Sequence, residues 1–274
     1  LALRATNRPR LLVSEAIHPH YRQVLSPYLS GFPCQIQSIP LTNGVTDLEA
    51  LAAALKDDVA AVLMQQPNVF GALEPMEQAG GLAHRVGGLF VASVYPISLG
   101  LLKPPGAYGA DIAVAEGRCL GSPVAYGGPG LGLFATTEAL LRKVPGRLAG
   151  CSVDQSGHRS FTLTLQTREQ HIRRERATSN VCTNAGWLCL RATIFLSLLG
   201  PTGLKELAAL NLQKAHALIE RLRADGLAEP VFDQPFFNEC TLRLKGDRPA
   251  ERISRKLLSA GVLGGWPLKP WYPA

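Results

Sequence analysis

Apolar and polar positions along this chain switch between two periods. RLLVS at 10–14 is a short apolar run, CQIQSI at 34–39 alternates, and VAAVLMQ (59–65), LFVASV (89–94) and DIAVAE (111–116) are near-continuous apolar runs of strand length. Between them lie helical segments: His18 to about Ser30, TDLEALAAALK at 46–56, and residues 76–87. Thr46-x-x-Glu49 reads as a capping box at the second of these. Apolar strands alternating with helices predict an α/β fold, a mainly parallel sheet covered on both faces. Ligands of such sheets sit at the carboxyl ends of the strands. Here those ends are Gln66-Pro67-Asn68, Tyr95-Pro96 and Glu116-Gly117-Arg118.

The second half has a different rhythm. A glycine-rich loop, GRCLGSPVAYGGPGLG at 117–132, runs into an apolar strand, LGLFAT, and a short helix from Glu138 to Val144 stops at Pro145-Gly146. Residues 151–167 read as a hairpin turning at Asp154 to Gly157. Two helices, 185–199 and 203–224, join through Gly200-Pro201-Thr202-Gly203 and end at Gly226. FFNECTLRL (236–244) predicts a strand, GDRPAERISRKLLSAG a turn plus helix, and VLGGW (262–266) the start of another strand. Two units are expected: a large domain over 1–202, then a linking helix with a partial small α+β domain over 203–274. LALRAT reads like the end of a helix already under way, and GGWPLKPWYPA stops without a closing element, so we expect a piece of a longer protein.

Composition narrows the class. A hydrophobic content of 46% with 18% charged residues describes a globular chain. The net charge of +7 is mild, and no lysine–arginine block alternates with aromatics, so nucleic acid is a weak reading. Cys34, Cys119, Cys151, Cys182, Cys189 and Cys240 form no CxxC pair, which favours reduced thiols in a cytoplasmic compartment over zinc or a disulfide framework. The longest apolar run, 192–200, is far shorter than the ~20 residues that cross a bilayer.

REQHIRRERATSNVCT, from Arg168 to Thr183, is the densest candidate for chemistry. Read as a helix, it puts Arg168, His171, Glu175 and Ser179 on one face and Glu169, Arg173 and Arg176 on another. A solvated, ion-paired face is the plain alternative. The apolar run that follows predicts that this charged turn leads directly into a buried helix. Arginines beside Thr178-Ser179-Asn180 suit an anionic ligand or an acidic subunit interface. In the glycine-rich loop, Gly130-x-Gly132-x-x-Ala135 has dinucleotide-fingerprint spacing but enters a strand, not a helix, so a tight turn is the better reading.

QQPNVFG, PISLGLLKPPGAYGADI, GGPGLGLFATTEALLRKVPGR and above all FTLTLQTREQHIRRERATSNVCTN resemble the glycine decarboxylase P-protein family of the glycine cleavage system. Within that family the resemblance is to the alpha chains of the two-subunit form, and it runs over nearly all of the chain. It implies the fold type I architecture of pyridoxal phosphate (PLP)-dependent transferases. It also implies glycine decarboxylation with PLP as electron sink, and transfer of the aminomethyl group to the lipoyl arm (lipoamide) of H-protein. The partners implied are subunit 2, the beta chain that holds PLP, and lipoylated H-protein.

PLP chemistry needs a lysine and a carboxylate at the pyridine nitrogen. By the resemblance, Arg118 stands at the PLP-lysine position and Tyr95 at the cofactor-aspartate position. Arginine stays protonated, so no catalytic residue is expected in this chain. Lys103, in LLKPPG, reads as a surface turn residue. Arg168, His171, Arg173, Thr178, Ser179 and Asn180 are expected to face the subunit interface and support the partner's active site. Gly130 departs from the family pattern, which has an aromatic residue after GGP. The alternatives are a stand-alone aminotransferase- or desulfurase-like enzyme and a non-enzymatic scaffold on the same fold.

Overall fold

The structure is a computed structural model that describes residues 1–166, 169–177, 185–246 and 249–273. In chain order the elements are α1 (Ala2–Thr6), β1 (Arg10–Ser14), α2 (Pro19–Leu29), β2 (Gln35–Ile39), β3 (Leu41–Thr42), β4 (Val45–Thr46), α3 (Leu48–Ala54) and β5 (Val59–Gln66). There follow α4 (Met76–Arg85), β6 (Leu89–Val94), β7 (Ile112–Glu116), β8 (Gly132–Thr136), β9 (Leu148–Val153) and β10 (Arg159–Thr164). The last are α5 (Gln170–Arg173), α6 (Gly186–Ala224), β11 (Ala228–Pro230), β12 (Leu242–Leu244) and α7 (Ala250–Ser259).

Six strands form one sheet in the order β2-β1-β5-β6-β7-β8. Every neighbouring pair is parallel except β7 with β8, which is antiparallel. The near-continuous apolar runs are explained by two covered faces. On one face Leu12, Val62, Met64 and Phe90 pack with Leu51 of α3 and Met76, Ala79 and Ala83 of α4. On the other, Leu11, Val13 and Ala61 pack with Ile17 and with Leu25 and Leu29 of α2. Each fully buried large side chain contributes roughly 1.5–3 kcal/mol.

Four local expectations are corrected. The cap of α3 is Asp47, whose carboxylate accepts from the Glu49 and Ala50 N–H groups, 2.9 Å each. Thr46 is instead spent on a buried hydroxyl pair with Ser14 at 2.7 Å, so no Thr46–Glu49 capping box forms. The charged stretch does not make one continuous helix. Helix α5 ends at Arg173, and Arg174 takes φ 52, ψ −123. Residues 171–176 are all exposed. A helix without an apolar face to dock has little to lengthen it.

The apolar helix after it is not a buried one. Trp187, Leu190, Ile194 and Leu198 are 78, 51, 52 and 82% exposed, while Leu188 and Ala192 are buried. Finally, VLGGW forms no strand, and of FFNECTLRL only Leu242–Leu244 pairs, with β11, beside a single bridge from Phe236 to Ala72. Aromatic contacts hold the tail instead: Trp266 stacks on His18 at 5.0 Å and Tyr272 meets Phe70 at 4.8 Å.

Helix α6 breaks where the sequence places a Gly-Pro joint, with Gly200 at φ 60, ψ −174. Its length and hydropathy match a membrane-crossing helix. However, residues 186–199 rise only about 21 Å before the break, short of the ~30 Å hydrocarbon core. After the break, α6 lies against the turn at 96–100. A Cβ on Gly100 would stand 2.6 Å from the Leu204 carbonyl oxygen and 2.8 Å from Ala208 Cβ, so only glycine allows this approach.

Candidate functional site

The ends of β5, β6 and β7 open into a cavity of about 210 Å³, lined by Tyr21, Gln65, Pro67, Ser93, Val94, Tyr95, Pro96, Glu116, Asn238 and Glu239. This is the carboxyl edge of the parallel strands, the position that α/β topology favours for ligands. The Tyr95 N–H donates to the Gln66 carbonyl at 3.1 Å, tying the ends of β6 and β5 together. The Gln65 side chain accepts the His18 N–H at 2.9 Å and donates to the Pro67 carbonyl at 3.1 Å, which fixes the floor. Tyr95 is half-buried, and burial, together with the nearby Cys119 and Glu239, pushes its hydroxyl up to about 12. Burial likewise raises the Cys119 thiol, so it is no ready nucleophile.

Glu116 organises the glycine-rich loop beside this cavity. Its Oε1 accepts the Arg118 N–H at 3.0 Å and the Leu131 N–H at 2.9 Å, joining the two ends of the loop. The Arg118 guanidinium lies 3.8 Å from the same oxygen. Tyr21 sits close to both, its hydroxyl raised by burial and by Glu116 and lowered by Arg118. A Cβ on residue 130 would stand 2.8 Å from Glu116 Oε2, so glycine at this position leaves room for this carboxylate. The loop enters β8 and not a helix, which removes the phosphate-binding geometry of a dinucleotide fingerprint.

The chemistry of the lining does not fit PLP. Among the described residues no lysine borders the cavity, and two carboxylates, Glu116 and Glu239, do. Lys103 is on the surface, paired with Glu77 at 2.7 Å. Among the described residues no group of three or more His, Cys, Asp or Glu could hold a metal ion.

Two of the six residues proposed for the subunit interface are described. His171 and Arg173 lie on α5, both exposed, and neither borders the cavity. Arg168, Thr178, Ser179 and Asn180 lie outside the described residues. Sequence reasoning missed Tyr21, Asn238 and Glu239. Asn238 and Glu239 arrive from a segment more than a hundred residues beyond β7, and no local pattern signals that. They are delivered by Gly71, whose missing Cβ lets the Glu239 carbonyl touch its backbone at φ 86.

Residues 1–265 match the family model for the glycine cleavage system P-protein. The chain is 48% identical over 273 residues to the probable glycine dehydrogenase (decarboxylating) subunit 1 of Carboxydothermus hydrogenoformans, covering 100% of this chain and 61% of that one. It is 47% identical to the protein of the same name from Geobacillus kaustophilus, with 98% and 59% covered. A crystal structure of glycine decarboxylase (P-protein) of the glycine cleavage system, in inhibitor-bound form, superposes with a TM-score of 0.91 at 45% identity, over 97% of this chain and 60% of that one. An aspartate aminotransferase of Thermus thermophilus shares the fold alone, at TM-score 0.65 and 20% identity, over 97% and 73% of the two chains. The chain thus spans about 60% of the length of the curated relatives it matches. With a mainly parallel sheet of the PLP-dependent transferase type and a match over nearly its whole length, the chain belongs to the glycine cleavage system P-protein family.

Proposed function

We propose that this chain acts as a noncatalytic, alpha-type subunit of a glycine decarboxylase. In this reading the complex releases CO₂ from glycine and passes the aminomethyl group to the lipoyl arm of H-protein, while PLP belongs to a partner beta chain. The observation that carries it is the cavity at the carboxyl edge, lined by Glu116 and Glu239 and, among the described residues, by no lysine, with Arg118 paired to Glu116 beside it. An arginine stays a cation and cannot hold the cofactor covalently, and two carboxylates disfavour a phosphate. Relatives that carry the name subunit 1 support a multi-chain assembly. The exposed Arg173, Arg174 and Arg176 and the exposed stripe on α6 give such an assembly surfaces to use. As part of the same proposal, residues 1–202 form the large domain and 203–274 the linking helix with the small one. The complex is placed in the cytoplasm, in keeping with the free thiols of Cys34, Cys119, Cys151, Cys189 and Cys240.

The test is reconstitution. The complete chain alone should develop no visible PLP absorbance, trap no PLP on borohydride reduction, and release no CO₂ from glycine. Added to a catalytic beta chain with lipoylated H-protein, it should restore decarboxylation. Trapped PLP on any lysine of this chain, Lys103 included, would assign it a site of its own and overturn the proposal.

A further inference from the structure

The segment after α7, residues 262–273, carries neither strand nor helix, and side chains hold it against the start of α2. Trp266 lies flat on the His18 ring, with centroids 5.0 Å and planes 5° apart. Trp271 meets the edge of His20 at 5.4 Å, and the two imidazoles stand 4.9 Å from each other. Beyond them the Tyr272 hydroxyl donates to the Glu15 carbonyl at 2.8 Å and accepts from Arg22 at 3.3 Å. At the base of the segment, a Cβ on Gly261 or Gly265 would meet nothing within 4 Å, so the backbone there is uncrowded. Two imidazoles and two indoles form the near half of a clasp, and Tyr272 forms the far half.

The His18 ring has a second task, which fixes how it holds Trp266. Its Nδ1 accepts the His20 N–H at 3.2 Å and caps α2, so the neutral ring carries its proton on Nε2. A proton added at Nδ1 turns that acceptor into a donor facing a donor. The ring is then pushed out of the cap, and Trp266 loses the face that the cap held in place. The added charge also sits at the positive end of the α2 dipole and beside His20. Against these stands one attraction, that of an imidazolium for the indole face. Burial, followed by His20, holds the ring below its ordinary 6.5. The other charged or titratable groups on the elements packed here are Glu15 before α2, Tyr21 and Arg22 on α2, and Lys269 and Tyr272 on the segment. Of these, Arg22 and Tyr272 bond each other.

We propose that His18 is a proton-operated latch for residues 262–271: as the neutral imidazole it seats Trp266, and once protonated it lets the segment lift from α2. The latched ring binds its proton less tightly than a released one. The latch is therefore closed above pH 6.5 and opens as pH falls through the lower value of the folded chain. It adjoins the carboxyl-edge cavity through two of the lining residues. Gln65 accepts the His18 N–H at 2.9 Å, and the Tyr21 ring stands 5.5 Å from that of His18. The device is independent of the subunit reading above.

The experiment is hydrogen exchange of the complete chain, read by mass spectrometry from about pH 7.5 to about pH 5 and corrected for the intrinsic rate at each pH. In wild type a peptide spanning 262–272 should lose roughly threefold or more of its protection toward acid, while peptides from β5 and β6 keep theirs. His18→Asn keeps an acceptor at the cap but does not titrate, so its segment should show the same protection at every pH. Constant protection in wild type, a loss in step with β5 and β6, or an undiminished acid loss in His18→Asn would each overturn the latch. A second measurement needs no variant: in the NMR spectrum of wild type, the Trp266 indole and the His18 imidazole should titrate together, with one midpoint below 6.5. Separate midpoints, or a Trp266 signal that does not move, would overturn it as well.

Discussion

The Asn68 amide donates to Glu74 Oε1 at 2.8 Å inside the protein, one of two bonds that bring a carboxylate into the carboxyl edge of β5. The other is the Thr46 N–H to Glu74 Oε2 at 2.9 Å. Asn68 also donates to the Gly44 carbonyl at 2.8 Å and accepts from the Phe70 and Ala72 N–H groups at 3.0 and 3.1 Å, so all its polar capacity is used. Asn68→Ala strands these groups in a dry site, and a loss of about 3 kcal/mol is expected from chemical denaturation.

Burial raises the Glu74 carboxyl from its ordinary 4.5, against the hydrogen bonds that lower it. The folded state therefore binds the proton more tightly than the unfolded chain. Its stabilising contribution is fully present below pH 4.5 and is lost as pH rises through the higher folded value. The stability of wild type relative to Glu74→Gln should therefore rise toward acid across that window. A relative stability that falls toward acid would mean the hydrogen bonds outweigh burial.

His18 should show the opposite dependence. Its ring nitrogen caps α2 by accepting the His20 N–H at 3.2 Å, and its ring lies flat on Trp266. Burial first, then His20, lowers it from 6.5. The unfolded chain binds that proton more readily, so stability is present above pH 6.5 and falls as pH drops toward the folded value. His18→Asn keeps an acceptor at the cap and should remove this slope. Thermal melts from neutral to mildly acid pH check it.

Gly71→Ala should be among the most damaging single changes. The added methyl collides with the Glu239 carbonyl, and φ 86 is unfavourable for alanine. A loss of about 3 kcal/mol is expected, together with displacement of Asn238 and Glu239 from the cavity. Tyr95 fluorescence or its titration midpoint reports the second effect.

The stripe Trp187, Leu190, Ile194 and Leu198 should make the isolated chain associate or bind apolar dyes, because a contiguous exposed apolar face drives association. The pair Leu190→Glu with Ile194→Lys should suppress both while changing stability by only about 0.5 kcal/mol, as these positions are exposed. Sedimentation of the two chains compares them directly. A sharply melting, monodisperse wild-type monomer would contradict this.

Much of the large sheet was legible because its signals are local. Continuous apolar runs of strand length, punctuated by Gln66-Pro67 and Tyr95-Pro96, need two covered faces whatever surrounds them, and Gly200-Pro201 breaks a helix in any context. The glycine-rich loop's exit into β8 was equally readable, because a strand and a helix have different periods. What failed was set by partners distant in sequence. Residues 168–176 have helical charge spacing, but without an apolar face to dock them the helix stops at Arg173. Thr46 has the chemistry of a cap, yet Ser14 at the end of β1 competes for it. VLGGW carries strand-like residues but forms no strand, and aromatic contacts claim the tail instead. The apolarity of residues 186–199 was plain in the sequence. Whether that apolar face turns inward or outward depends on which other surfaces reach it, and only the tertiary structure decided that. The cavity's composition was decided there too: Asn238 and Glu239 stand beside Tyr95 because a missing side chain at Gly71 lets two backbones touch.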